Sequence, residues 1–95
     1  MLTRNLNLSP AMIDFRQSVE EMIPALRRYA RALTRDVDIA DDLVQDTLVR
    51  ALRSERLFHG GDLRSWLYTI LTNLNRNRRR SMARRRLRFR LVRIV

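Results

Sequence analysis

Residues 62–74 read DLRSWLYTILTNL, and they show the clearest helical periodicity in the chain. Apolar side chains recur there at steps of three and one, at Leu63, Trp66, Leu67, Ile70, Leu71 and Leu74. This spacing lines one face of an α-helix, and Asp62 stands before it as a capping residue. The segment therefore predicts a long helix whose apolar face must be covered by other helices.

The segment upstream of residue 36 predicts one or two further helices. Ser9-Pro10 is typical of a helix start, since Ser caps and Pro fits the first turn. Apolar residues then recur at steps of three and four as far as Leu26. Pro24 interrupts the stripe, so it either kinks one helix or opens a second helix over residues 24–35. Residues 1–10 are expected to form a flexible arm.

Another helix is predicted over about residues 39–53. Asp38 followed by Asp41 resembles a capping box, and acids in the first turn suit the helix dipole. Two Gly and two Pro in 95 residues leave few turns for an all-β chain. We therefore predict an all-α fold, a small bundle of three to four helices.

Charge is divided unequally along the chain. All twenty basic residues are Arg, every acid lies at or before Asp62, and residues 64–95 hold eleven Arg with no acid. A positively charged segment attracts a polyanion. The planar guanidinium of Arg can also make two parallel hydrogen bonds to a phosphate, which the ammonium group of Lys cannot. We expect the Arg-rich part to bind nucleic acid, the alternative being a solvated basic tail. Composition does not distinguish DNA from RNA.

Other functional classes find little support in the composition. Cys is absent and His59 is the only His, so a metal site is not expected. No catalytic constellation or Gly-rich phosphate loop is present, so we predict no enzyme activity and no cofactor. Apolar runs are short and no signal peptide is recognisable, so we expect a cytoplasmic protein without membrane contact.

Two sets of residues are candidates for binding. Asp42, Gln45 and Asp46 share the outward face of the helix over residues 39–53; they indicate a docking surface or, on composition alone, an ordinary solvent-facing helix surface. Phe58 and Tyr68 are candidates for stacking on unpaired bases, whereas Trp66 lies on the apolar stripe and is expected in the core. Asn73 could hydrogen-bond a base edge.

The middle of the chain resembles a known family. ADDLVQDTLVRAL, residues 40–52, resembles the core-polymerase-binding segment of bacterial sigma factors. LRSWLYTILTNLNRNRRRS, residues 63–81, resembles the segment that melts the promoter and reads its −10 element. Together they are similar to region 2 of an extracytoplasmic-function (ECF) sigma factor of the sigma-70 family, over about residues 12–80.

The resemblance implies partners and a role for individual residues. One helix face would dock on the β′ clamp of core RNA polymerase, through Asp41, Asp42, Gln45, Asp46 and Val49. A second set would bind promoter DNA, holding the −10 non-template strand with a base flipped out of the stack: Phe58, Tyr68, Asn73, Arg76, Asn77, Arg78, Arg79 and Arg80. Asn73 would line the base pocket, and the arginines would hold phosphates. An anti-sigma factor is another implied partner.

The chain departs from the family pattern at its C-terminal end. ECF sigma factors have a second helical domain, region 4, which reads the −35 element, and this sequence stops before it. We expect residues 11–83 to form the region 2 domain and residues 84–95 a basic tail, read as strand or disorder. An excised domain, a natural single-domain relative and a truncated or frameshifted gene remain open. So do two rival functions, another kind of Arg-rich nucleic-acid-binding protein and an interaction module without initiation activity.

Overall fold

The computed structural model of the protein describes the backbone of residues 10–94 and the side chains of residues 14–93. The described chain folds into four α-helices, α1 (Pro10–Glu21), α2 (Ile23–Thr34), α3 (Val37–Arg53) and α4 (Leu63–Ile94). A short 3-10 helix, Glu55–Leu57, lies between α3 and α4. The predicted all-α fold is confirmed. Residues 1–9, which include the Ser9 cap and all of the predicted N-terminal arm except Pro10, lie outside the described residues, and Pro10 begins α1.

Pro24 opens a second helix, which settles the choice left open by the sequence. α2 begins at Ile23 with the proline in its first turn, where a missing N–H costs no intrahelical hydrogen bond. The helix ends at Thr34, and its C-cap Arg35 adopts the left-handed conformation (φ 55°) and donates its backbone N–H to the Arg31 carbonyl at 2.8 Å. This ending turns the chain back toward α3.

α3 begins two residues earlier than predicted, and its cap is Asp36 rather than Asp38. The Ile39 backbone N–H donates to Asp36 Oδ1 at 3.0 Å. Asp36 has the extended backbone that a capping residue needs (φ −143°, ψ 118°). Asp38 lies in the first turn, where its carboxylate faces the positive end of the helix dipole.

The core forms where α3 packs against both α2 and α4. Leu26, Leu67 and Leu71 are fully buried there, and the last two come from the stripe that the sequence identified. Alanines with no exposed surface let the helices approach closely: Ala30, Ala40 and Ala51. These buried side chains fix α4 against α3, so the outward faces of the two helices have a defined arrangement.

The C-terminal end of α4 differs from the sequence expectation. Residues 84–94 are helical and continue α4 without a break, whereas strand or disorder was predicted. Alternation of Arg with apolar residues gives a period of two, but Arg and Leu are both good helix formers and no Gly or Pro interrupts the segment. Over ten residues this period of two does not indicate a strand. The Arg side chain is itself partly apolar, so the contrast between alternate positions is weak.

Candidate functional site: an acidic helix face and a basic helix

The acidic face of α3 is free of the core. Asp41, Asp42, Gln45 and Asp46 are all exposed, and Val49 below them is 48% exposed. The opposite side of the helix is buried through Leu43, Val44, Thr47 and Ala51. Because the fold uses only this buried side, the carboxylates and the valine are exposed to solvent, on the outward face that helical periodicity predicted.

Phe58 is less accessible than its place in a polar loop suggested. Its ring is half-buried and lies 5.1 Å from the Trp66 ring and 5.9 Å from the Phe15 ring, centroid to centroid. Phe15 and Trp66 also meet edge to face at 6.0 Å. These contacts are the tilted geometries that aromatic rings prefer. Phe58 therefore anchors the loop before α4 and offers only part of its ring to a base.

Tyr68 has one ring face covered. It stacks on Tyr29 with the centroids 4.2 Å apart and the planes within 1° of parallel. Tyr29 also makes a hydrogen bond of 2.9 Å between its hydroxyl and Thr72 Oγ1. The pair joins α2 to α4, so Tyr68 has a packing role, and only its outer face remains for stacking on a base.

A first cleft lies between the end of α3 and the middle of α4. It has a volume of about 220 Å³ and combines an indole, two amides and a guanidinium with apolar walls. Its lining residues are Arg50, Ser54, Leu57, Trp66, Ile70, Asn73, Leu74 and Asn77. Asn73 and Asn77 lie one helical turn apart, so both predicted amides border the same space.

A second cleft lies on the other side of Asn73. It has a volume of about 380 Å³ and is more polar, with hydroxyls from both stacked tyrosines and two threonines. Its lining residues are Tyr29, Ser65, Tyr68, Thr69, Thr72, Asn73 and Arg76. Arg76 Nη1 donates to Asn73 Oδ1 at 3.5 Å. Asn73 is thus exposed between two clefts, and its amide oxygen accepts one long hydrogen bond from a guanidinium.

The basic segment Arg76–Arg80 does not act as one set. Arg78 is half-buried and donates to Asn75 Oδ1 from Nε at 3.3 Å and from Nη2 at 3.0 Å. Its Nη1 also approaches Met82 Sδ at 3.1 Å. Arg76, Arg79 and Arg80 are exposed and border a third cleft beside Leu33. Three guanidiniums are therefore exposed to solvent, Arg76 with one long hydrogen bond to Asn73, whereas Arg78 mainly holds the helix surface in place.

Asn75 is the residue that sequence reasoning missed. It is buried, at 6% exposure, and accepts the two hydrogen bonds from Arg78. Its position offers one signal, because Asn75 lies one turn after the buried Leu71 and so on the packed side of α4. A buried amide that accepts from a guanidinium makes a stronger hydrogen bond than a neutral pair does.

The start of α4 is fixed by a turn and a cap. Gly60 and Gly61 both have φ of 90°, a conformation that residues with a Cβ rarely adopt. Asp62 follows, and its carboxylate accepts from the Ser65 hydroxyl at 2.7 Å and from the Arg64 N–H at 3.1 Å. The hydrogen bonds from Ser65, then that from Arg64, lower the pKa of Asp62 below its ordinary value.

Metal ligation and membrane insertion find no support in the described residues. No cluster of three or more His, Cys, Asp or Glu side chains able to hold a metal ion occurs in residues 14–93. None of the helices described above is long and apolar enough to cross a membrane.

Known proteins similar to this chain are sigma factors. A family model described as the sigma2 domain of PhyR matches residues 19–72. The ECF RNA polymerase sigma factor EcfG of Rhodopseudomonas palustris (strain TIE-1) is 44% identical over 69 residues, which are 72% of this chain and 38% of that protein. The RNA polymerase sigma factor HrpL of Pseudomonas syringae pv. syringae is 36% identical over 70 residues, 73% of this chain and 38% of that protein.

The ECF RNA polymerase sigma factor SigL of Mycobacterium tuberculosis (strain ATCC 25618 / H37Rv) is 39% identical over 66 residues, 65% of this chain and 36% of that protein. The chain spans less than two fifths of the length of these curated relatives. No solved structure matches it. Since the family model covers more than half of the chain, with all of α3 and the first ten residues of α4, this protein belongs to the sigma-2 domain family of the ECF RNA polymerase sigma factors.

Proposed function

We propose that this chain acts in transcription initiation as a bridge between core RNA polymerase and the opened promoter. The acidic face of α3 binds the β′ clamp, and α4 binds the −10 element as an unpaired non-template strand. The observation that carries the proposal is the division of exposed chemistry between two helices that pack on each other. One presents carboxylates around an apolar residue, and the other presents amides and guanidiniums around clefts.

The α3 face suits a basic protein surface. Four polar side chains and Val49 are exposed together, and none of them contributes to the buried core. Asp42 and Asp46 lie one turn apart, where like charges repel slightly. A basic partner removes that repulsion and adds electrostatic steering to the encounter. An apolar residue beside the acids allows an interface whose core excludes water and whose rim is charged.

The clefts of α4 suit an unpaired base next to phosphate. Asn73 can both donate to and accept from a base edge, and each of the two clefts beside it brings an aromatic side chain. Arg76, Arg79 and Arg80 are exposed along the same helix and can hold the backbone. Stacking and pocket contacts are available to a flipped base and not to a paired one, so binding favours the open strand.

The chemistry of the site is binding alone. Strand separation is stabilised because the protein holds the unpaired state more tightly than the duplex, and a ligand shifts an equilibrium only by such a difference. The exposed acids Asp41, Asp42 and Asp46 lie on α3 and the exposed arginines Arg76, Arg79 and Arg80 on α4, so the acidic face does not compete with DNA for these arginines.

The role of Asn73 is tested by base preference. Short labelled single strands that differ at each position of a selected −10-like sequence are titrated with the protein, and anisotropy gives the dissociation constants. Asn73→Ala is expected to reduce discrimination at one position by about 1 to 3 kcal/mol, roughly 5- to 150-fold, with little change for a random strand. Gln17→Ala, an exposed amide on α1, is the control.

The same titration decides between the two clefts. Arg50 borders only the first cleft and Thr69 only the second. If the base enters the first cleft, Arg50→Gln weakens binding of the preferred strand and Thr69→Ala does not; the reverse result places the base in the second cleft. Unchanged discrimination in Asn73→Ala removes this residue from the site.

A further inference from the structure

The last part of α4 extends beyond the helical bundle. Every side chain of residues 81–93 is exposed, and we call this segment the arm. Six of its thirteen residues are Arg, at positions 84, 85, 86, 88, 90 and 93. At 1.5 Å per residue the arm is about 20 Å long. None of these arginines belongs to the clefts around Asn73.

Repulsion between like charges weakens the arm as an isolated helix. Arg84–Arg88 and Arg86–Arg90 are spaced i, i+4, where like charges repel. No carboxylate follows Asp62, so no acid on α4 offsets this repulsion. One weak contact is present, with the Arg93 guanidinium carbon 6.0 Å from the centre of the Phe89 ring. A bound polyanion would supply the missing negative charge and support the helix.

The distribution of side chains around the arm favours a groove over a flat surface. A step of two residues along an α-helix rotates the side-chain direction by about 200° around the helix axis. Arg84, Arg86, Arg88 and Arg90 therefore alternate between opposite sides of the arm. Leu87, Phe89 and Leu91 alternate in the same way and are 55 to 67% exposed. A helix on a membrane needs one apolar face opposite one charged face, whereas the arm has arginines on two opposite sides with apolar residues between them.

We propose that the arm is a second nucleic-acid-binding element that lies in the major groove of duplex DNA. This groove is wide enough for an α-helix and has phosphates on both sides, which matches guanidiniums on both sides of the helix. A length of about 20 Å corresponds to roughly six base pairs at 3.4 Å each. The apolar side chains between the arginines can contact thymine methyl groups and sugars. The proposal does not depend on how the clefts bind an unpaired base.

The experiment compares duplex and single-strand binding by the full chain. In the arm variant, Arg84, Arg86, Arg88 and Arg90 are all changed to Gln. The matched control changes four exposed bundle arginines to Gln, at Arg16, Arg27, Arg28 and Arg31, so the net charge falls equally. Affinities for a labelled 20-base-pair duplex, and for one of its strands, are measured by anisotropy over a range of salt concentrations.

The expected result is a change specific to the arm and to the duplex. Each phosphate contact contributes about 0.9 to the slope of log affinity against log salt, so four lost contacts lower the duplex slope by about 3 to 4. The control substitutions should lower the duplex slope by less than about 1, since salt screens charges that lie far from the DNA. Equal slopes in the arm variant and the control, or an equal loss on the single strand, overturn the proposal.

A second variant separates shape from charge. Leu87→Pro keeps all of the arginines but breaks α4 within the arm, because proline removes a hydrogen bond and clashes with the preceding turn, away from Arg76, Arg79 and Arg80. A rigid helix in the groove predicts at least about tenfold weaker duplex binding with single-strand binding retained. Unchanged duplex affinity means that the arm acts only as a charged tail, and stronger binding to anionic lipid vesicles than to duplex identifies a membrane element; either result refutes the assignment.

Discussion

Leu71 and Leu87 lie on the same helix, and the structure predicts opposite consequences for the same substitution at the two positions. Leu71 has no exposed surface and packs in the core between α2, α3 and α4, whereas Leu87 is 58% exposed on the arm. Leu71→Ala removes buried methyl groups and leaves a cavity, which costs about 2 to 5 kcal/mol. Leu87→Ala removes little buried surface and is expected to change stability by less than about 0.5 kcal/mol.

The assay is urea unfolding followed by far-ultraviolet circular dichroism and by Trp66 fluorescence. A loss of 2 to 5 kcal/mol is a large part of the free energy of unfolding of a small domain. With about 4 to 8 °C per kcal/mol, it lowers the melting temperature by roughly 10 to 40 °C. Similar losses in the two variants would refute the division of α4 into an anchored half and a free half. So would a Leu71→Ala loss below about 1 kcal/mol.

Two smaller predictions concern the helix starts. Asp36→Ala removes the oxygen that accepts from the Ile39 N–H and should cost about 1 kcal/mol, read from the urea midpoint; an unchanged midpoint would exclude the cap. The pKa of Asp62 is lowered by folding, so its stabilising effect is complete above the pKa of the unfolded chain and is lost as pH falls through the lower folded value. Unfolding titrations of wild type and Asp62→Ala should therefore converge in acid, and a gap that widens as pH falls would contradict the assignment.

Much of the fold follows from local rules that the sequence displays. The apolar steps from Leu63 to Leu74 identify the face that buries Leu67 and Leu71. Pro24 signals a break, but whether it kinks or starts a helix depends on the packing of α1 and α2. The cap of α3 was assigned two residues too late, since Asp36 and Asp38 are equivalent in type and only backbone conformation distinguishes them.

The sequence predicts which residues of the candidate site are exposed, but not the contacts between residues that are distant in sequence. Exposure of the α3 acids follows from helical periodicity alone, because their neighbours Leu43 and Thr47 face the core. The covering of Phe58 by Phe15 and Trp66 depends on contacts between residues distant in sequence. The hydrogen bonds between Arg78 and Asn75 depend on the burial of Asn75. The Arg-rich composition of this segment does not indicate that burial.

The central claim is that the carboxylates of α3 bind the polymerase while α4 binds DNA. It is tested most directly by titrating core RNA polymerase with the wild type, with Asp46→Arg, and with Glu20→Arg, a control that reverses an exposed charge on α1. Reversing one interfacial charge replaces an attraction of up to about 1 kcal/mol by a repulsion. We expect at least about fivefold weaker polymerase binding for Asp46→Arg alone, with binding to free single-stranded DNA unchanged or stronger. Equal polymerase binding by all three proteins, or a parallel loss of DNA binding in Asp46→Arg, would contradict it.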